Sequence, residues 1–199
     1  TSLNASPNKL SGALAITDPN YKFTGNQVNG TIAVSATDQK ENSGYESSRT
    51  GASLGTAFEQ YENIFLSPKI MASYEDIEVT SKSNKSIKKM AGTFTNIDFL
   101  YGISLDKRNQ AFQPSKGYIL GFQQALPVIQ DSSSIMNMFN VSKYHEFSDD
   151  VIGSLKFSLK SMHGIDDDVR ITNRLFIPTR KLRGFNTAKV GPKDGTDYI

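Results

Sequence analysis

The sequence predicts an all-β protein of about eight strands, and three observations predict it. Apolar and polar residues alternate with period two in one segment after another, turn-forming clusters separate those segments, and helical periodicity does not recur. The alternation is cleanest from Val151 to Ser161. There Val151, Gly153, Leu155, Phe157 and Leu159 fall on one face, and Ser154, Lys156, Ser158 and Lys160 on the other.

Taken in order, the predicted strands are Lys9 to Ile16, Val28 to Thr37, Arg49 to Glu59, Leu66 to Val79, Phe94 to Asp106, Gly117 to Pro127, Ile135 to Phe147 and Val151 to Ser161. Asp18-Pro19-Asn20, Glu41-Asn42-Ser43-Gly44, Ser81 to Asn84, Asp131 to Ser134 and Ser148-Asp149-Asp150 supply the turns between them. These strands exceed the five or six residues usual in soluble sheets. A strand tilted by about 40° rises roughly 2.5 Å per residue along a barrel axis, so about ten residues cross an apolar band of roughly 25 Å. Two architectures share this pattern, a transmembrane barrel and a soluble β-sandwich. In the barrel, Lys156 and Lys160 face the lumen, because a lipid-facing lysine near the midplane costs roughly 2–4 kcal/mol, and Leu155, Phe157 and Leu159 face lipid. In the sandwich the same apolar face is core and the lysines meet solvent.

Composition narrows the function classes. The 199 residues carry 22 basic and 20 acidic side chains, a net charge of +2 with no basic field, which argues against a nucleic-acid partner. Cysteine is absent, so no disulfide scaffold or thiolate metal site is available. No apolar run approaches the length of a transmembrane helix, which a β-barrel does not need. The sequence opens at Thr1 without a basic n-region or an apolar h-region, so no signal peptide is expected within it.

Catalytic patterns are sparse. The two histidines, His145 and His163, stand in no metal-ligand spacing, there is no nucleophile-elbow or phosphate-loop motif, and Asp166-Asp167-Asp168 lacks the alternating spacing of a calcium loop. We therefore expect no enzyme activity, no metal and no cofactor.

Three stretches carry a resemblance. Leu105-Asp106-Lys107-Arg108 followed by Pro114-Ser115-Lys116-Gly117 places a carboxylate and an arginine at a strand end, a turn proline, and a glycine where the next strand begins. Ala15-Ile16-Thr17-Asp18-Pro19 ends an early strand, and Arg49-Thr50-Gly51 opens a later one. Near the C-terminus, Leu182-Arg183-Gly184-Phe185 is followed by Gly191-Pro192-Lys193-Asp194. In this order they resemble the landmarks of the BamA-type outer-membrane insertases, the bacterial surface-antigen superfamily. The family's loops commonly carry a glycine pair where this chain has Pro178-Thr179 after Phe176.

The resemblance implies an incomplete antiparallel transmembrane β-barrel, with about eight strands and the inward-folding loop of a sixteen-stranded barrel. Residues 1–199 would be part of one barrel domain, with its terminal strands and the periplasmic POTRA domains lying outside the sequence. It implies a protein of the cell outer membrane that folds and inserts other β-barrel proteins. Its expected partners are outer-membrane lipids, unfolded β-barrel substrates and accessory assembly lipoproteins. The loop motif of Leu182, Arg183, Gly184, Phe185, Gly191, Pro192 and Asp194 would fold into the lumen, where Arg183 needs a carboxylate partner, and Asp106, Arg108, Pro114 and Gly117 would form a tight turn. Two alternatives stand beside this reading: a two-partner-secretion transporter of the same superfamily, and a soluble β-sandwich binding module.

Overall fold

The computed structural model of the chain describes residues 1–6, 9–40, 44–81, 83, 85–131, 133–165, 168–175, 184, 193–194 and 197–198. Its strands are β1 (Ser2–Ser6), β2 (Lys9–Asp18), β3 (Gln27–Gln39), β4 (Tyr45–Tyr61), β5 (Ile64–Leu66), β6 (Lys69–Val79), β7 (Gly92–Asp106), β8 (Gly117–Gln130), β9 (Ser134–Ser148) and β10 (Val151–Gly164). All ten form one sheet in which every pairing is antiparallel. A four-residue helix, α1 (Lys85–Lys88), lies in the β6–β7 connection, and the two-residue strands β11 (Lys193–Asp194) and β12 (Asp197–Tyr198) pair separately.

The all-β antiparallel expectation is borne out, with two corrections to the strand list. β1 precedes the first predicted strand; Ser2 to Ser6 alternates too weakly to be read without its partner, with Leu3 its one large apolar side chain. The segment expected to run unbroken from Leu66 to Val79 is interrupted at Ser67-Pro68 and starts earlier, so that β5 and β6 follow one another in the gap between β4 and β7. Pro68 has no N–H to give the ladder. The break is bridged by Ser67 and Gly102, which exchange two backbone hydrogen bonds of 2.9 and 3.2 Å, and by the Pro68 carbonyl, which accepts from Thr56 N at 3.0 Å. A Cβ at position 102 would fall on the Ser67 hydroxyl, which would have to rotate away.

Directly paired residues in an antiparallel sheet share a face, so the register propagates one face across the whole molecule. Glu75 pairs with Arg49 and Phe94, and Ser73 with Gly51 and Asn96. On the same strand as Asn96, Gly102 pairs with Gln123, which pairs with Met138, which pairs with Lys160. The segment after β10 lies over this face, called here the covered face. The opposite, bare face carries Leu14, Ile32, Leu54, Ile70, Phe99, Phe122, Phe139, Leu155, Phe157 and Leu159.

Burial is inverted relative to a water-soluble sheet. Glu75 is 2% and Arg170 3% exposed, whereas Leu54 is 65% and Leu155 73% exposed. The buried apolar residues among those described are Ile77, Ile87 and Ile171, all at the end of the sheet where the chain leaves β10.

Candidate functional site

The covered face of β4, β6 and β7 is a wall of charged and amide side chains. Arg49, Ser73, Glu75, Asn96 and Asp98 lie on it because each occupies the inward phase of its strand. Arg49 donates from Nη2 to Ser73 Oγ at 3.0 Å. Gln130 Nε2 donates to Asp98 Oδ1, and Gln130 Oε1 accepts from Ser134 N at 3.0 Å.

The chain reaches this wall after β10. Ile165 N donates to the Ser133 carbonyl at 2.9 Å, tying the start of the loop to the β8–β9 turn. Farther on, the Arg170 carbonyl accepts from Asn173 N at 2.9 Å and from Arg174 N at 3.1 Å, while Arg174 Nε donates to the Val169 carbonyl at 3.0 Å. This local turn fixes the backbone from which the Arg170 side chain extends.

Its guanidinium makes three contacts on the wall. Nη1 lies 3.3 Å from Glu75 Oε2, Nη2 donates to Asn96 Oδ1 at 2.7 Å, and Cζ stands 4.5 Å from the centroid of the Phe94 ring. The fork geometry and the stacking both suit arginine and not lysine. Burial pushes the Arg170 pKa down and the Glu75 carboxylate opposes it; a guanidinium stays protonated in proteins. The next residue, Ile171, is buried, and its N–H faces Met90 Sδ at 3.3 Å. The loop is thus held by an ion pair, an amide and an apolar contact on adjacent residues.

At the opposite end of the sheet the turn expected from Asp106, Arg108, Pro114 and Gly117 is assembled. Arg108 donates to both Asp106 oxygens, Nε at 2.8 Å and Nη2 at 2.6 Å, and Lys107 N donates to the Tyr118 carbonyl at 2.8 Å. Asn109 Oδ1 accepts from Ser115 N at 3.1 Å and Lys116 N at 3.2 Å, closing the connection that contains Pro114. Gly117 has φ +95°, and a Cβ there would fall on the Lys107 carbonyl oxygen.

Lys156 and Lys160 lie on the covered face with the wall, and Leu155, Phe157 and Leu159 on the bare face. Of the loop motif, Leu182, Arg183, Phe185, Gly191 and Pro192 lie outside the described residues. Gly184 is exposed with φ +90°, and Asp194 pairs with Asp197 across β11 and β12. Among the described residues no acidic or histidine cluster could hold a metal ion.

Sequence reading missed Arg170, Glu75, Phe94 and Asn96. The available signal was the alternation in β6, where Ser73 and Glu75 share a phase that is polar in the middle of a strand. Nothing local tied that phase to an arginine 95 residues later.

Comparison with known proteins gives three results. A profile of the Omp85 superfamily domain matches residues 1–199. No curated protein sequence matches the chain significantly. Among solved structures, the chain is similar to BamA from Haemophilus ducreyi lacking POTRA domains 1-3, with a TM-score of 0.79 and 17% identity over 93% of this chain and 39% of that one.

Proposed function

Because this chain belongs to the Omp85 superfamily, we propose that it is the central part of a transmembrane barrel that folds and inserts other β-barrel proteins into the outer membrane. The observation that carries the membrane part of this reading is the inverted burial. Burying a Leu, Ile or Phe side chain is worth about 1.5–3 kcal/mol, so a whole bare face of them in water would outweigh the roughly 5–15 kcal/mol that stabilises a domain. In hydrocarbon the same face is matched to its solvent, and the polar wall lines an enclosed lumen. On this reading Leu155, Phe157 and Leu159 face lipid and Lys156 and Lys160 face the lumen.

The insertase role is supported by the loop over the wall together with the motif from Leu182 to Asp194. The activity involves no covalent chemistry. Unfolded β-barrel chains are its substrates, and bilayer lipids and accessory lipoproteins its partners. POTRA domains deliver the substrates, and strand-edge pairing templates them.

The test is depletion of the full-length protein in its own cell. Heat-modifiable, folded forms of many unrelated outer-membrane barrels should decline together. Loss of export of one soluble partner, with barrel assembly intact, would identify a secretion transporter instead.

A further inference from the structure

Across β7 to β10 the bare face carries a hydrogen-bonded polar row. Tyr101 on β7 donates from its hydroxyl to Gln124 Oε1 at 2.8 Å, Gln124 Nε2 donates to Asn137 Oδ1 at 2.5 Å, and Asn137 Nδ2 donates to Ser161 Oγ at 3.4 Å. The four residues are successive cross-strand partners on β7, β8, β9 and β10. They lie among apolar rows. Ile103, Phe122, Phe139 and Leu159 form the next row toward the β9–β10 turn, and Leu105, Leu120, Val141 and Phe157 the one after. Phe99 and Phe122, with ring centroids 6.2 Å from that of Tyr101, hold its ring in place.

The row climbs relative to the apolar band. On β7, Tyr101 has Ile97 and Phe99 on one side and Ile103 and Leu105 on the other, so it sits mid-band. On β10, Ser161 lies beyond Leu155, Phe157 and Leu159 and is followed on the same face by His163, so it marks the band's border at the loop end. Each two-residue step along a tilted strand is about 5 Å of depth. The row therefore leads from the border into the band.

Hydrogen-bond arithmetic shows what the row lacks. Gln124 Oε1, Asn137 Oδ1 and Ser161 Oγ each accept one bond within the row, while one N–H of Gln124, one N–H of Asn137 and the O–H of Ser161 have no acceptor among the described residues. A ligand rich in acceptors would satisfy these three donors at once. Phosphate and ester-carbonyl oxygens of a bilayer lipid are acceptors without donors.

We infer that the row of Tyr101, Gln124, Asn137 and Ser161 binds the phosphate and ester-carbonyl oxygens of a membrane phospholipid, drawing its headgroup below the normal level of the leaflet on the loop side. The inference rests on the bare face meeting lipid, and its test separates the two. The full-length protein, with a nitroxide on a single cysteine at Phe139, is placed in vesicles of phosphatidylethanolamine and phosphatidylglycerol. Collision of the nitroxide with a water-soluble nickel complex is measured relative to oxygen, with a label at Ile32 on β3 as reference.

In Gln124→Leu/Asn137→Leu/Ser161→Ala the nickel-to-oxygen ratio at Phe139 should fall by half or more, and the low ratio at Ile32 should not move. The single variant Asn137→Leu should shift it the same way by less. An unchanged ratio at Phe139, or spin–spin broadening that dilution with unlabelled protein removes, overturns lipid binding, the latter in favour of a second copy. A high nickel ratio at Ile32 as well as Phe139 overturns the membrane assignment itself.

Discussion

Arg170 and Glu75, 95 residues apart in the chain, meet on the covered face of the sheet with 3.3 Å between Nη1 and Oε2 and with both side chains 3% exposed. An ion pair this deeply enclosed is an unreliable source of net stability, but removing one partner strands the other. Its consequence is positional. It fixes where the loop after β10 crosses the wall.

Arg170→Ala should weaken docking of the loop by about 3–5 kcal/mol, because Glu75 is left buried without its counter-charge. Glu75→Ala should do the same, and the double variant should cost clearly less than the sum of the two singles. Hydrogen exchange across residues 165–175 in the full-length protein reads the effect. Additive costs would mean that the two side chains are not coupled. Arg170→Lys should recover only part of the protection, since a point charge cannot keep Glu75 and Asn96 in one fork while stacking on Phe94.

Gly117→Ala should lower the urea midpoint of the folded barrel, because φ +95° alone costs an alanine about 1–2 kcal/mol and its Cβ meets the Lys107 carbonyl. Gly121→Ala, four residues along β8, has open space at its Cβ and should be nearly neutral. Asp106→Asn should cost roughly 1 kcal/mol, since its bidentate pair with Arg108 is only partly screened by solvent. Equal midpoints for the two glycine variants would show that the turn does not hold its observed form in the membrane.

Single cysteines at Leu155, Phe157 and Leu159 should react with a lipid-soluble reagent, and those at Lys156, Ser158 and Lys160 with a water-soluble one. The bare-face and covered-face phases of β10 alternate without a break over this stretch. Phe157→Lys should destabilise the barrel by about 2–4 kcal/mol, while Lys156→Leu should be tolerated. Reversed labelling would exchange lumen and lipid faces.

Arg183 belongs to the loop motif and lies outside the described residues. We expect Arg183→Ala, as the only copy of the full-length protein, to reduce folded outer-membrane barrels, and Arg183→Lys to restore them in part. Wild-type barrel levels with Arg183→Ala would remove the motif arginine from the assembly function. Arg170→Ala in the same assay then shows whether the Arg170–Glu75 pair or the motif limits activity.

The turns were legible because their chemistry is local. Asp106, Arg108, Pro114 and Gly117 lie within one connection, and a positive φ at its exit leaves glycine little competition. The strands from Lys9 to Ser161 were legible because period two is a property of the extended chain. β1 and the break at Ser67-Pro68 were not, since a short strand and an interrupted one are defined by the neighbours that pair with them.

By itself the sequence determined that the chain forms antiparallel strands, which residues share a face within each, and, through its motifs, which family it resembles. Only the tertiary structure decided which face is covered, that Arg170 and not a nearer side chain reaches Glu75, and that Tyr101, Gln124, Asn137 and Ser161 stand in one row. Alternation is unchanged when the two faces are exchanged, so it cannot say which one is enclosed. The register that aligns residues on four strands is set cooperatively by all the pairings at once, and a slip of one residue would move every side chain of a strand to the other face.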